Sequence, residues 1–279
     1  MVLEKFSKIN NWNLTTGKVL TLSGVAIAII YIFFITLPIL ALVTKALGGA
    51  DFIQNITGPT ALQALRLSLL TSAISMLIII SLGSPFALLL SKTNSRFLKT
   101  VDLIVELPII LPPIVAGIAM LMAFGRTGLL GAPLNSLGIT LPFTTTAVIM
   151  AQIFVSAPFY IRAAKIGFVS VPKELEEISE TLGVSPWATF WRVTIPLAWP
   201  AMAGGAALAW ARAMSEFGAT IMFAGNMFGK TQTLPLAILS SLESNLETAL
   251  AISLLLVGVS ILILILLGTL GNAAKRMNH

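Results

Sequence analysis

Cysteine is absent from the 279 residues, and the single histidine, His279, is the last of them. No disulfide and no thiolate metal site can form, and with one terminal His the usual Cys/His ligand sets for zinc or haem are missing from this chain. Charge is scarce as well. Asp, Glu, Lys and Arg make up 10% of the chain, against about 25% in a usual soluble domain. Hydrophobic residues reach 57%. That balance excludes an ordinary soluble core and makes the chain integral to a membrane. A span needs about 20 apolar residues, so the length leaves room for about six. The net charge of +6 does not point to nucleic acid. The cations sit in the short segments between apolar runs, where Lys and Arg set membrane orientation. With no pair of membrane aspartates and one terminal His, the chain also lacks the groups for intramembrane proteolysis.

Six spans can be placed, at about 20–45, 67–91, 103–124, 143–167, 196–224 and 248–271. The run from Val19 to Thr44 holds no charge across 26 residues. That is longer than the h-region of a cleaved signal peptide, so it reads as a retained first span. Pro108, Pro112 and Pro113 remove backbone donors from the third span and should kink it. Pro158 lies inside the fourth. The 48–60 and 126–142 stretches are rich in Gly, Pro, Asn and Thr and read as connections.

Lys and Arg divide unevenly between the two sides. One side receives twelve: Lys5, Lys8, Lys18, Lys92, Arg96, Lys99, Arg162, Lys165, Lys173, Arg192, Lys275 and Arg276. The other receives Lys45, Arg66, Arg126 and Lys230. By the positive-inside rule both termini and the 168–195 segment face the cytoplasm. The expected fold is an all-α integral membrane protein, one transmembrane unit over residues 1–279, with six helices and a cytoplasmic loop between the fourth and fifth.

That loop is the most polar stretch. Four of the eleven acidic residues lie in it, Glu174, Glu176, Glu177 and Glu180. Ser170 and Pro172 read as the start of a helix. The glutamates near its N-terminus suit the helix dipole. Leu175, Ile178 and Leu182 recur at spacings of three and four and give one apolar stripe. Gly183 can end the helix in the left-handed conformation. Ser185 and Pro186 restart one, supplied with Trp187, Phe190 and Trp191, and Pro196 leads into the fifth span. On composition alone this could be an interfacial hairpin with Trp at the lipid headgroups.

The spacing also resembles the signature loop of permease subunits in ATP-binding-cassette importers. The family pattern is Glu-Ala-Ala, three residues, Gly, nine residues, then Ile-x-Leu-Pro. Here Glu177-Ile178-Ser179 stands for the first part, Gly183 follows six residues after Glu177, and Val193-Thr194-Ile195-Pro196 closes it. Ile178 and Ser179 replace the two alanines, and Ile195 the leucine. The resemblance implies that residues of about 168–196 form a coupling helix on a separate ATPase, with Glu177, Gly183 and Pro196 as motif positions and Val184, Ser185, Pro186 and Trp187 as the tip. Such an element can pass a rigid-body push to the membrane helices.

The chain has no nucleotide site of its own. Ala224 to Thr231 loosely imitates a phosphate loop, but a real one follows a strand and opens a helix in an α/β domain. The resemblance therefore places ATP and Mg on a partner ATPase and leaves this chain without a cofactor or enzymatic activity. The run from Glu216 to Asn226, with Gly229 to Ile238, is similar to molybdate and tungstate permeases. That similarity implies a homodimer in a prokaryotic cell membrane, two cytoplasmic ATP-binding subunits, and an extracytoplasmic oxyanion-binding protein. A sulfate or thiosulfate permease is the nearest alternative. An ion-coupled secondary transporter is another, though it would usually show inverted repeats and several membrane acids, of which only Glu216 and Glu106 qualify.

Arg212 and Glu216 are the charges well inside the fifth span. They stand at i and i+4 and can pair. Two roles fit: a structural ion pair, or an Arg212 that helps a dianion along the pathway, alone or with its copy in a second subunit. Gln152 in the fourth span is a weaker pathway candidate, and buried packing suits it as well.

Overall fold

The computed structural model describes the backbone of residues 2–93 and 95–277 and the side chains of 23–93 and 95–269. Lys5, Lys8, Lys18, Lys275 and Arg276, five of the cations behind the orientation, and His279 fall outside the described side chains. Every regular element among the described residues is helical.

The chain divides into two units, residues 1–52 and 53–279. The first is a single long helix, α1 (Val2–Leu47). Its apolar part, Ser23–Leu47, is 25 residues long and sufficient to cross a bilayer.

The second unit carries the remaining helices. These are α2 (Phe52–Thr57), α3 (Pro59–Lys92), α4 (Arg96–Ile110), α5 (Pro113–Phe124), α6 (Gly131–Ser136) and α7 (Thr145–Val169). They continue with α8 (Lys173–Thr181), α9 (Pro186–Thr189), α10 (Ile195–Met214), α11 (Gly218–Ala224), α12 (Leu234–Ser244) and α13 (Leu246–Met277). Helix α7 sits at the centre, packed between α3 and α10, while α13 covers α10 and α12, and α5 lies on α11. Without a hydrophobic drive between helices inside lipid, close association depends on small residues. Gly205 meets α7 so tightly that an added Cβ would lie 2.4 Å from the Ala163 methyl. Gly167 makes the reciprocal approach to Ala198 and Ala201. The core around these helices combines five alanines with Met76, Ile79, Tyr160, Phe168, Val171 and Met202.

Among the described residues five helices are long and apolar enough to cross a membrane, and the α4–α5 pair makes a sixth if counted as one span. The third span departs from a kinked rod: α4 and α5 are bent by 118°. Leu111 and Pro112 form the break, and Pro113 begins the new helix, so the prolines do more than kink it. The fifth span also differs from the sequence expectation of one helix over 196–224. It starts earlier, as one continuous rod from Pro186 to Met214, then breaks at residues 215–217 before the short α11. Helix α12 was not anticipated from the sequence either. Pro235 in its first turn and buried Leu234, Leu236 and Ala237 hold it in place.

Candidate functional site: the loop between α7 and α10

The loop is built by local stop and start signals. Ser170 turns out to close α7, its hydroxyl donating to the Gly167 carbonyl, and does not cap α8 as the sequence suggested. Pro172 is the residue before α8, with Glu174 and Glu176 in the first turn. The helix ends in a Schellman motif: Val184 N–H donates to Ser179 O at 3.1 Å and Gly183 N–H to Glu180 O at 2.9 Å. Gly183 takes φ +79 there, a conformation that costs other residues about 1–2 kcal/mol. Ser185 then caps α9, its Oγ accepting from Ala188 N–H at 3.3 Å, with Pro186 in the first turn.

Helix α9 does not stop before the membrane. Phe190–Thr194 form a π turn that joins it to α10, with Ile195 N–H donating to Phe190 O. Pro196 explains the slip: it has no N–H, so the turn before it has lost a donor. Trp187, Phe190 and Trp191 cluster with ring centroids 5.4–6.2 Å apart.

Two side-chain bridges hold the hairpin. Ser179 Oγ and Thr189 Oγ1 are 2.8 Å apart, linking α8 to α9. Glu176 accepts from Thr194 Oγ1 at 2.6 Å and from Lys92 Nζ at 3.1 Å, which ties the loop to the end of α3. Partial burial works to raise the Glu176 carboxyl, but the Thr194 hydroxyl, Lys92 and the charge of Lys173 outweigh it, so it titrates below the usual carboxylate value. Glu177, the motif glutamate, is exposed and its side chain meets no partner among the described residues. The sequence reading placed Glu176 among the dipole partners and missed Lys92, Thr189 and Thr194. Ser179, which stands for a motif alanine, was the one visible hint of a polar bridge.

Among the described residues nothing covers the apolar stripe. Leu182 is 78% exposed and Trp187 70%, and Ile178 and Leu175 are exposed too.

The second polar region lies at the fifth-span break. Arg212 and Glu216 do pair, with Nη1 to Oε2 at 2.7 Å, although Glu216 is beyond the end of α10 and not on its helical face. The contact lacks hydrogen-bond alignment, and Oε2 has no hydrogen-bond donor. Oε1 accepts from Ala219 N–H at 2.7 Å and so holds the start of α11. The Glu216 side chain is fully buried, and that of Arg212 is 25% exposed. Gln152 is buried between α7 and α3, accepting from Ser75 at 3.0 Å. That is a buried packing position in the protomer. The phosphate-loop imitation at 224–231 follows helix α11 and forms a turn with positive φ at Gly225 and Gly229. No strand precedes it and no helix opens directly from it.

Residues 79–276 match the sequence pattern of binding-protein-dependent transport system inner membrane components. The chain is 40% identical over 241 residues to the molybdenum transport system permease protein of Mycobacterium bovis, covering 86% of this chain and 91% of the relative. It is 36% identical to the molybdate/tungstate transport system permease protein of Pyrococcus abyssi over 88% of this chain and 92% of that one. A probable sulfate transport system permease protein of Chlorokybus atmophyticus is 36% identical over 76% of each chain. In fold, the chain matches one from the crystal structure of a bacterial ABC transporter involved in the import of alginate, with a TM-score of 0.74 at 17% identity over 94% of this chain and 98% of that one.

Proposed function

The chain belongs to the binding-protein-dependent transport system inner membrane components, and from that premise we propose that it is the membrane-spanning subunit of an ATP-driven importer of molybdate or tungstate. Two copies enclose the pathway. Two cytoplasmic ATPase subunits hold ATP and Mg, and an extracytoplasmic binding protein delivers the oxyanion. The Lys and Arg distribution supports a cytoplasmic loop and cytoplasmic termini. ATP binding closes the ATPase pair, and the loop passes that movement to the span.

The observation that carries this reading is the exposed apolar tip on a rigid hairpin. Helices α8 and α9 are locked by the Schellman turn and the Ser179–Thr189 bridge. Leu182 and Trp187 nevertheless stand uncovered. Because α9 runs unbroken through the π turn into α10, a push on Trp187 moves a membrane helix as a rod. A flexible loop would absorb it. Glu177, whose side chain meets no partner among the described residues, is available to the ATPase. Gly183, Val184, Ser185 and Pro186 shape the tip, and Pro196 sets the π turn.

Arg212 is the pathway candidate, alone or facing its copy in the second protomer. Arg212→Met alone would leave Glu216 buried without its cation, so the cleaner variant is Arg212→Met with Glu216→Gln. Undiminished uptake in that variant removes the pathway role.

The relatives named for molybdenum and for molybdate/tungstate support the substrate. Sulfate, also a tetrahedral dianion, is the second reading, favoured by the 36% identical sulfate relative. The deciding experiment purifies the complex from its native host with its binding protein and titrates molybdate, tungstate and sulfate while following ATP hydrolysis. Stimulation by molybdate or tungstate at concentrations well below sulfate is expected. The reverse order assigns sulfate. A chain that transports with no ATPase attached belongs to the secondary transporters.

A further inference from the structure

A cavity of about 360 Å³ opens where the end of α3, the start of α4, the end of α7 and the start of α8 meet. Four lysines line it, Lys92, Lys99, Lys165 and Lys173, against the single acid Asp102. Asp102 is taken by Lys165 and Glu176 by Lys92. Lys99 and Lys173 have no carboxylate within 4.0 Å among the described residues. The site therefore keeps two uncompensated positive charges even when Glu176, outside its wall, is counted. Two helix N-termini add to it, since Lys99 lies in the first turn of α4 and Lys173 is the first residue of α8.

The surroundings say which kind of anion can reach it. Helix α4 turns Lys99 and Asp102 to the cavity and leaves Phe97, Leu103, Leu107 and Ile110 exposed. In a membrane-spanning chain such an apolar face suits acyl chains. The cavity thus sits where lipid-facing surface gives way to the polar loop, at the depth of lipid headgroups. Basic pockets between membrane helices on the cytoplasmic side take phosphate headgroups for this reason, and a volume of this size exceeds what a lone tetrahedral ion fills.

We propose that the lysine pocket binds a phosphate group, carried by an anionic phospholipid or arriving as the free ion. Its position at a cytoplasmic surface rests on the orientation given under Proposed function. Binding in detergent does not depend on sidedness, so its failure is told apart from failure of the transport reading.

The test uses the native complex purified in neutral detergent. One arm titrates phosphatidylglycerol and the other inorganic phosphate, with the thermal midpoint and lipid retained in native mass spectrometry as readouts. Saturable stabilisation is expected in at least one arm, and the arm that responds names the source. Lys99→Gln with Lys173→Gln should weaken binding about thirtyfold, at about 1 kcal/mol per lysine. Both side chains are exposed, so folding should survive. Asp102→Asn should act in the opposite direction and tighten binding, which a folding defect could not imitate. The proposal is overturned if neither probe stabilises the wild type, or if the double variant binds both as the wild type does. It is overturned equally if the double variant loses only its ATPase partner, which would give these lysines to that subunit.

Discussion

Two glutamates in this chain each hold a cation and a second hydrogen-bond donor, yet in opposite settings. Glu216 sits inside the bundle, fully buried, with one oxygen on the Ala219 N–H and the other on Arg212. Glu176 sits at the base of the loop, with 19% of its side chain exposed, and its partner Lys92 is 56% exposed. The inner site keeps a gap open in a membrane helix and satisfies the backbone freed by the break. The outer site positions a hairpin whose apolar tip no described residue covers. Polar groups buried in a membrane hold the fold together, and half-exposed ones can be handled by a partner. Comparable contact distances therefore carry very different energies.

The sharpest way to break the contrast is Glu216→Ala. It removes the acceptor for Ala219 N–H and strands Arg212, and breaking a buried pair typically costs about 3–5 kcal/mol. We expect a large fall in the thermal midpoint of the purified protein, or loss of folded protein altogether. Glu216→Gln keeps an oxygen for the Ala219 N–H and should lose less. A wild-type midpoint for the alanine variant would mean that the break is held by packing alone.

At the loop the expected damage is to coupling. Gly183→Val meets open space, since nothing lies within 4 Å of an added Cβ. Only the positive φ resists it, at about 1–2 kcal/mol. The protein should therefore accumulate in the membrane while uptake falls and ATP hydrolysis continues without it. Gly183→Asn, which tolerates that conformation, should transport nearly normally. If the valine variant imports at the wild-type rate, the turn is not the transmission element. Trp187→Glu removes the ring contacts with Phe190 and Trp191, worth about 0.5–1.5 kcal/mol each, so folded protein should still accumulate while co-purification of the ATPase falls. Unchanged co-purification would move the docking surface elsewhere.

Long uncharged runs made the spans legible in the sequence, and local chemistry made the loop legible: Gly183 for the left-handed turn, then Ser185 and Pro186 for the cap. The break at 215–217 was not legible because 196–224 carries no charge except Arg212 and Glu216, and Ser215 alone does not stop a helix. Periodicity cannot tell an ion pair along a helix from a carboxylate that caps the next one. The 118° bend was visible as three prolines but not as an angle, since the angle is set by how α5 packs on α11. The Lys92–Glu176–Thr194 contact joins positions 84 and 18 residues apart. No local pattern encodes such a contact, whereas Glu177 stands out by motif spacing alone.

The smallest predicted effect concerns Glu176. The folded-state pKa of Glu176 lies below its ordinary value. Its pairing therefore stabilises the loop above the usual carboxylate range and is lost as pH falls through the lowered value. With Lys92 more than half exposed, the contribution is at most about 0.2–1 kcal/mol. Hydrogen exchange over residues 173–196, followed from neutral pH to below the carboxylate range, should show the hairpin amides losing protection in the wild type once intrinsic rates are divided out. In Glu176→Gln that acid-dependent loss should vanish, because the amide cannot titrate, and protection should be lower already at neutral pH. Identical profiles for the two proteins would leave the Ser179–Thr189 bridge and the Schellman turn as the elements that set the hairpin, with Glu176 a bystander at its base.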